Sequence, residues 1–299
     1  MRLGTRGSEL ALAQSRLVAQ ALAVQVETVT TAELGDGDNG LPTDKRRWVA
    51  TLEAALLEGR IDLAVHSAKD LPGELAPGLE LGAVLARGPA EDVVVCRDPG
   101  LASLADLPQG ARLGTASLRR AAQLKALRPD LVAVPTEGNV DTRLRKLEHQ
   151  QPPLEGLVLA RAGLERLGYR RLGFALSIEQ AVPAPGQGVI AVEVRAGDRL
   201  ALDAVEPLCD RATLGCLEAE RAAARALGAD CNSAIGLHAR VVGGELELLA
   251  FVGAADGSAW LRDRWVGALE RPRELGEELA RRLLRAGGEQ LLAGGTVDG

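Results

Sequence analysis

Aromatic residues are the scarcest feature of this chain: two Phe, one Tyr and three Trp amount to 2% of 299 residues. So few rings leave almost nothing on which bases could stack, and a net charge of −6 opposes a phosphate backbone, so nucleic acid is a poor candidate partner. Four cysteines, at 96, 209, 216 and 231, form no CxxC pair and no metal-ligand spacing, and with only three His to assist them no metal site is expected. No run approaches the ~18 uninterrupted apolar residues of a membrane span. The opening Met1-Arg-Leu-Gly-Thr-Arg-Gly7 has no apolar signal core, which points to a cytoplasmic protein. Walker and dinucleotide glycine fingerprints are absent as well, so nothing specific supports a nucleotide enzyme.

What remains is ordinary globular material, 46% hydrophobic and 25% charged, in a chain longer than one core usually serves. The first half alternates strand-like runs with helical patterns. Arg2 to Thr5, Val24 to Thr31 and Ile61 to Ser67 read as strands, and Ser8 to Ala23 and Trp48 to Glu58 as helices, with Ser8 as an N-cap. The rhythm resumes through Arg112 to Gly114, Ser117 to Leu127, Leu131 to Val134, Val140 to Glu148 and Leu157 to Ala160. It predicts an α/β architecture with largely parallel sheets. Pattern breaks near residues 87–92 and 195–200 suggest boundaries, and Val189 to Val194 reads as a strand returning to the first domain. The domains expected are therefore 1–90 with 183–197, then 91–182, then 198–299. The last is a small α+β unit: a helical Leu208 to Leu227, three strands from Ala234 to Val266 with a Gly243-Gly244 turn, and an amphipathic helix from Pro272 to Arg285. No internal repeat is visible.

Charge is unevenly spread. Residues 111–171 hold ten Arg and two Lys against two Asp and four Glu, a local +6, so the remainder carries −12. The asymmetry suggests an anion-binding surface in an acidic protein, and planar guanidinium groups suit small carboxylates or phosphates. Three segments could carry chemistry. Val65-His-Ser-Ala-Lys-Asp70 ends a buried strand, where ligands gather in open α/β sheets. His66 reads as a satisfied core residue, and the Lys-Asp pair could equally be a surface turn before Pro72. Gly114-Thr-Ala-Ser-Leu-Arg-Arg120 starts a helix with two arginines that run against the dipole preference, so local helix stability does not explain them. Gly138-Asn-Val-Asp-Thr-Arg143 and Thr5-Arg-Gly-Ser8 repeat the theme of strand, glycine and helix start. Cys231, in Leu227-Gly-Ala-Asp-Cys-Asn-Ser-Ala-Ile-Gly236, lies in a polar loop that fits a buried structural thiol poorly.

Taken in order, Thr5-Arg-Gly-Ser8, Ala64 to Pro72, Gly114 to Arg120, Gly138 to Arg143, Ala162-Gly-Leu-Glu-Arg-Leu-Gly168, Pro183 to Gly188, Glu218-Ala-Glu-Arg221 and the Cys231 loop resemble the porphobilinogen deaminase (hydroxymethylbilane synthase) family along nearly the whole chain. The resemblance implies two periplasmic-binding-protein-like α/β domains around a cleft plus a small α+β C-terminal domain, in a monomer. It implies a dipyrromethane cofactor joined by a thioether to Cys231, which primes chain growth. Asp70 is then the catalytic carboxylate, contacting pyrrole nitrogens, assisting loss of ammonia and stabilising the azafulvene-like cation that results. Four porphobilinogen units add in turn before hydrolysis releases hydroxymethylbilane. Lys69, Asp70, Thr115, Ser117, Arg119 and Arg120 correspond to cofactor-binding positions, and Arg6, Ser8, Lys45, Arg143 and Arg166 to substrate-binding ones. Because each pyrrole unit carries acetate and propionate, the arginine excess acquires a chemical reason.

Three departures stand out. Glu137 occupies the place, just before the Gly-Asn-Val turn, where family members usually have Arg, and Arg161 is the neighbouring cation expected to compensate. Leu41-Pro-Thr-Asp-Lys-Arg-Arg-Trp48 replaces a glycine-rich Gly-Lys-Gly-Leu-Phe segment, with Trp48 standing for the aromatic residue. Ala229-Asp230 precedes Cys231 where two glycines are common, and an acidic neighbour disfavours a thiolate. These departures leave a second expectation open, a non-catalytic two-lobed anion-binding protein of the same ancestry.

Overall fold

The first strand, β1 (Arg2–Thr5), is buried from Leu3 onward and leaves through Arg6-Gly7 into α1 (Glu9–Ala21). Ser8 caps that helix, its Oγ accepting from Ala11 N at 3.3 Å, a bond worth about 1 kcal/mol. The computed structural model describes residues 1–35, 45–169, 173–229 and 233–294. From α1 the chain runs through β2 (Glu27–Thr30), α2 (Lys45–Leu57), β3 (Leu63–Ser67), β4 (Leu79–Val84), β5 (Asp92–Cys96), β6 (Arg112–Gly114), α3 (Leu118–Leu127), β7 (Val132–Val134), α4 (Val140–His149), β8 (Gly156–Ala160), α5 (Arg161–Arg166) and β9 (Phe174–Leu176). It continues through β10 (Ile190–Arg195), α6 (Arg199–Val205), α7 (Arg211–Ala226), β11 (Ile235–Val242), β12 (Glu245–Gly253), β13 (Trp260–Gly267), α8 (Pro272–Arg285) and α9 (Gly288–Ala293). The described residues fall into two compact units, Met1–Gly88 with Gly186–Leu214, and Pro89–Pro185 with Gly215–Gly299.

The first unit holds a five-stranded sheet in the order β2-β1-β3-β10-β4. One face packs Leu3, Leu63, Val65, Ile190 and Val192 against Val18 of α1 and Val205 of α6. The other packs Ala64 and Leu79 against Leu52, Ala55 and Leu56 of α2. Alternation along β3 thus sends Leu63 and Val65 one way and Ala64 and His66 the other. In the second unit a sheet ordered β7-β6-β8-β5-β9 has the same plan. The same unit holds the antiparallel sheet β11-β12-β13, which buries Leu237, Leu248 and Ala250 against Leu275 and Leu279 of α8. Its Gly243-Gly244 hairpin has both glycines at positive φ, the conformation a two-residue loop between right-twisted strands requires.

Both five-stranded sheets are mixed, which corrects the expectation of largely parallel pairing. In each, four strands run parallel and the fourth position is taken by an antiparallel one. β10 lies between β3 and β4, and β5 between β8 and β9. The reason is connectivity: β10 enters after Pro183–Gly188 at the carboxyl end of β3, pairing Ile190 with Ser67 and Glu193 with Ala64. The two sheets therefore repeat one topology without any repeat in sequence. The helix read over Leu208 to Leu227 is also divided: a 3-10 turn at Glu206–Leu208 precedes α7, and Asp210 restarts the chain as a helix by accepting from Thr213 N at 2.7 Å.

Candidate active site

Asp70 closes a 3-10 turn, Ala68–Asp70, at the carboxyl end of β3. Gly186 packs against the backbone of this turn. Its φ is +72°, and a Cβ there would come within 2.9 Å of Ala68 C and Lys69 N, so the Pro183–Gly188 loop needs glycine at this point. A pocket of about 60 Å³ opens beside the turn. Arg6, Ser8, Gln14, Trp48, His66, Ser67 and Asp70 supply its polar and aromatic lining. Arg6 lies over the Trp48 ring, its guanidinium carbon 3.4 Å from the ring centroid, a cation–π contact worth about 0.5–2 kcal/mol. Burial pulls the Arg6 guanidinium below its ordinary pKa, and the charge of Asp70 acts in the opposite sense. The cation is thus poorly hydrated and close to a carboxylate. On the opposite wall Gln14 donates to Ser67 Oγ at 2.8 Å and Ser67 Oγ donates back to Gln14 Oε1 at 3.1 Å, which fixes both side chains.

A second cluster forms in the other unit. Thr115 is buried, and its Oγ1 accepts from Ser117 N at 3.2 Å in the turn that opens α3. Ser117 occupies the N-cap position without a side-chain cap bond. Arg119 and Arg120, buried at 4% and 7% exposure, both turn onto Asp92 at the start of β5. Arg119 Nη1 lies 2.8 Å from Oδ2, while Arg120 Nε and Nη2 lie 3.1 and 2.8 Å from Oδ1. The remaining donors are partly used: Arg119 Nη1 reaches Val182 O at 2.8 Å and Arg120 Nη1 reaches Val158 O at 3.0 Å. Burial alone would raise the Asp92 carboxyl, but the two guanidinium groups outweigh it and hold it far below the carboxylate range. Two cations share one anion, and Arg119 Nε, buried, has no hydrogen-bond partner. A buried +1 with an unused donor is the electrostatic counterpart of a carboxylate ligand.

The other expected residues are placed as follows. Lys69 is half-buried on the Asp70 turn, Arg143 lies one turn into α4, and Arg166 ends α5 with burial lowering its pKa against the opposing charge of Glu165. Lys45 opens α2, and its side chain lies outside the described residues. Cys231, with Asp230 and Asn232, lies outside them too, as do residues 41–44 of the altered loop. Arg161 does not fill the gap left at Glu137. It is engaged by Glu165 at 2.8 Å and Glu91 at 3.6 Å, and the cation at the Glu137 turn is Lys146, whose Nζ donates to Glu137 O at 3.0 Å. Glu137 itself is exposed.

The sequence reading missed Gln14, Ser67, Glu193 and Asp92, and it misjudged His66. That residue is buried, but its Nε2 makes no hydrogen bond and lies 3.0 Å from Glu193. Gln14 was findable as a polar residue on the buried stripe of α1, beside Val18. Glu193 was findable as the one charge within Ile190-Ala-Val-Glu-Val194. Among the described residues no cluster of three or more His, Cys, Asp and Glu could hold a metal, and no helix is long and apolar enough to cross a membrane.

The first unit thus sets a carboxylate beside a desolvated arginine at a strand end, and the second, on the same α/β plan, buries an arginine pair on one carboxylate. The chain belongs to the porphobilinogen deaminase family. The model of its dipyrromethane cofactor binding domain matches residues 1–203 and that of its C-terminal domain matches residues 214–285. A porphobilinogen deaminase of Roseiflexus castenholzii is 44% identical over 98% of this chain and 99% of its own length. One of Bordetella parapertussis is 43% identical over 98% and 95%. Among solved structures, the periplasmic VFT2 domain of Bordetella pertussis BvgS is similar at a TM-score of 0.40 and 16% identity, over 69% of this chain and 84% of that one.

Proposed function

We infer that this chain is a hydroxymethylbilane synthase: it condenses four porphobilinogen units head to tail on a dipyrromethane primer held by Cys231, with loss of ammonia, and releases the linear tetrapyrrole by hydrolysis. The observation that carries the reading is the pocket that gathers Arg6, Ser8 and Asp70 at the end of β3. Asp70 accepts from the pyrrole N–H and faces the positive charge that develops on the substrate ring as the amine departs, an electrostatic role suited to a water-poor site. Arg6, steadied by Trp48, and Ser8 bind a substrate carboxylate and orient the ring. The dipyrromethane, when bound, supplies a free pyrrole carbon at which the chain grows. Arg119 and Arg120, with Thr115, Ser117 and Lys69, would hold its acetate and propionate groups. The unused Arg119 Nε and the surplus positive charge fit such carboxylates. Arg143 and Arg166 extend the basic surface to later rings, and Lys45 is assigned to substrate by resemblance alone.

We propose a division into three domains, 1–90 with 183–197, 91–182 and 198–299, and the presence of one sheet within each range supports it. A cytoplasmic monomer acting on porphobilinogen, with no nucleic acid partner, completes the reading.

Intact mass tests the primer directly. The purified protein should exceed the 31.3 kDa chain by two linked pyrrole units, and Cys231→Ser should lose the excess. A Cys231→Ser protein that keeps the added mass would remove Cys231 from the assignment. Glu137→Arg gives a second expectation. Restoring a cation at this exposed turn should lower KM for porphobilinogen roughly fivefold, about 1 kcal/mol, with kcat unchanged; an unaltered KM would show that the position faces no substrate carboxylate.

A further inference from the structure

Glu193 is a poorly compensated charged residue of the first unit. It is fully buried in β10, and neither carboxylate oxygen receives a hydrogen bond. Its neighbour is His66 Nε2, 3.0 Å from Oε2, on a ring only 6% exposed. The separation is that of an ion pair, but the ring is not aligned to donate, so Nε2 goes without a hydrogen bond as well. Strand register explains the meeting: Ala191 pairs with His66 and Glu193 with Ala64, which sets the two side chains diagonally on one face of the sheet. α2 packs on that face and adds Glu53, whose carboxyl is raised above its usual range by burial, with Glu193 adding to the rise, while a bond from Ala76 N and the charge of His66 oppose it. Stability does not account for this group. The flanking Val192 and Val194 are apolar and fully buried, and a buried carboxylate without donors is costly unless a proton or cation accompanies it. His66 in turn lines the pocket together with Asp70 and Arg6.

We propose that the Glu193–His66 pair serves proton transfer in this pocket: His66 exchanges with the reacting groups the proton that every condensation must move, and the nearby Glu193 carboxylate offsets the charge the ring then carries. The proposal rests on the reading of Asp70 as the catalytic carboxylate. Each condensation forms one carbon–carbon bond and breaks two bonds, the aminomethyl C–N and a pyrrole ring C–H. The C–N electron pair leaves with nitrogen, the C–H pair returns to the ring, and the displaced proton departs with ammonia as ammonium. Asp70 must stay ionised to face the positive charge, so it cannot also hold that proton. His66 is the pocket's other titratable group besides Arg6, and Glu193 stabilises the ring when it is protonated. The charges that face His66 are Glu193 from β10 and Glu53 from α2, with Asp70 and Arg6 across the pocket.

Glu193→Gln and His66→Asn, each confirmed by intact mass to carry its cofactor, test the proposal through steady-state kinetics across pH. In Glu193→Gln the acid limb of the kcat profile should move to lower pH at unchanged KM, because the anion that offsets a protonated ring is gone. His66→Asn should lower kcat at least about tenfold and abolish that limb. An unmoved acid limb in Glu193→Gln, or a wild-type kcat profile in both variants, overturns the proposal. If His66→Asn does not fold, the Glu193→Gln profile decides; if neither folds, the pair is structural and the proposal fails. Asp70→Asn keeps the two readings apart. An active Asp70→Asn enzyme defeats the role of Asp70 whatever His66 does, whereas an inactive one leaves the pair to be judged by its own variants.

Discussion

Asp70→Asn should lower kcat by roughly 10²–10³-fold, the size of effect expected when one preorganised group that faces developing charge is removed. The thermal midpoint should stay within about 2 °C of wild type, because Asn is nearly isosteric with the half-buried Asp70 and removes no packing. Asn keeps the shape of the side chain and can accept a pyrrole N–H, but it carries no charge, so the variant isolates electrostatics from geometry. Asp70→Glu isolates the converse. It retains the charge but moves it by one methylene from a turn pinned by Gly186, and such a misplacement is expected to cost about 10²-fold. The pair of variants distinguishes a group that stabilises charge from one that only orients substrate, since an orienting group would tolerate Asn better than Glu. Intact mass should accompany both. A variant without the added mass would assign Asp70 to acquisition of the primer rather than to turnover, and a wild-type-like kcat in loaded Asp70→Asn would take its charge out of the mechanism.

Helix starts were legible because their signals are local. Ser8 announced itself as a cap, and it accepts from a backbone N–H three residues on. The Asp70 turn was legible because a charged pair followed a buried strand. Strand direction was not. A period of two marks a strand without saying which way it runs, so the return of β10 to the first sheet was legible but its antiparallel direction was not. Arg119 and Arg120 show the boundary clearly. Their position in the first turn of α3 argued against a local role, which holds, but their partner lies 27 and 28 residues upstream at the start of another strand. Only the pairing of β5 beside β8 brings Asp92 under the helix. His66 failed for a similar reason: its identity suggested a satisfied core residue, and the carboxylate beside it comes from a strand 127 residues later.

The Asp92 cluster yields the largest expected effect on stability. Asp92→Asn leaves two buried guanidinium groups facing each other without their shared anion, and breaking a buried ion pair on one side costs about 3–5 kcal/mol. For domains of this size that lowers the thermal midpoint by roughly 5–15 °C, readable by calorimetry as a loss confined to the second unit's transition. The same geometry fixes the pH dependence. The folded-state pKa of Asp92 is depressed, so its contribution is fully present above the unfolded value, about 4, and is lost as pH falls toward the folded one. Wild type should therefore lose stability steeply below about pH 4, and Asp92→Asn, already without that contribution, should fall less steeply there. A triple replacement, Asp92→Leu with Arg119→Met and Arg120→Met, separates the cost of stranded charge from the worth of the cluster. It should recover much of the midpoint lost in Asp92→Asn, because apolar side chains of similar size remove the desolvation penalty along with the attraction. It should also purify without the mass of two pyrrole units, since no cation remains there to meet a carboxylate. A triple variant that regains stability and still carries that mass would show that the two arginines serve the fold alone.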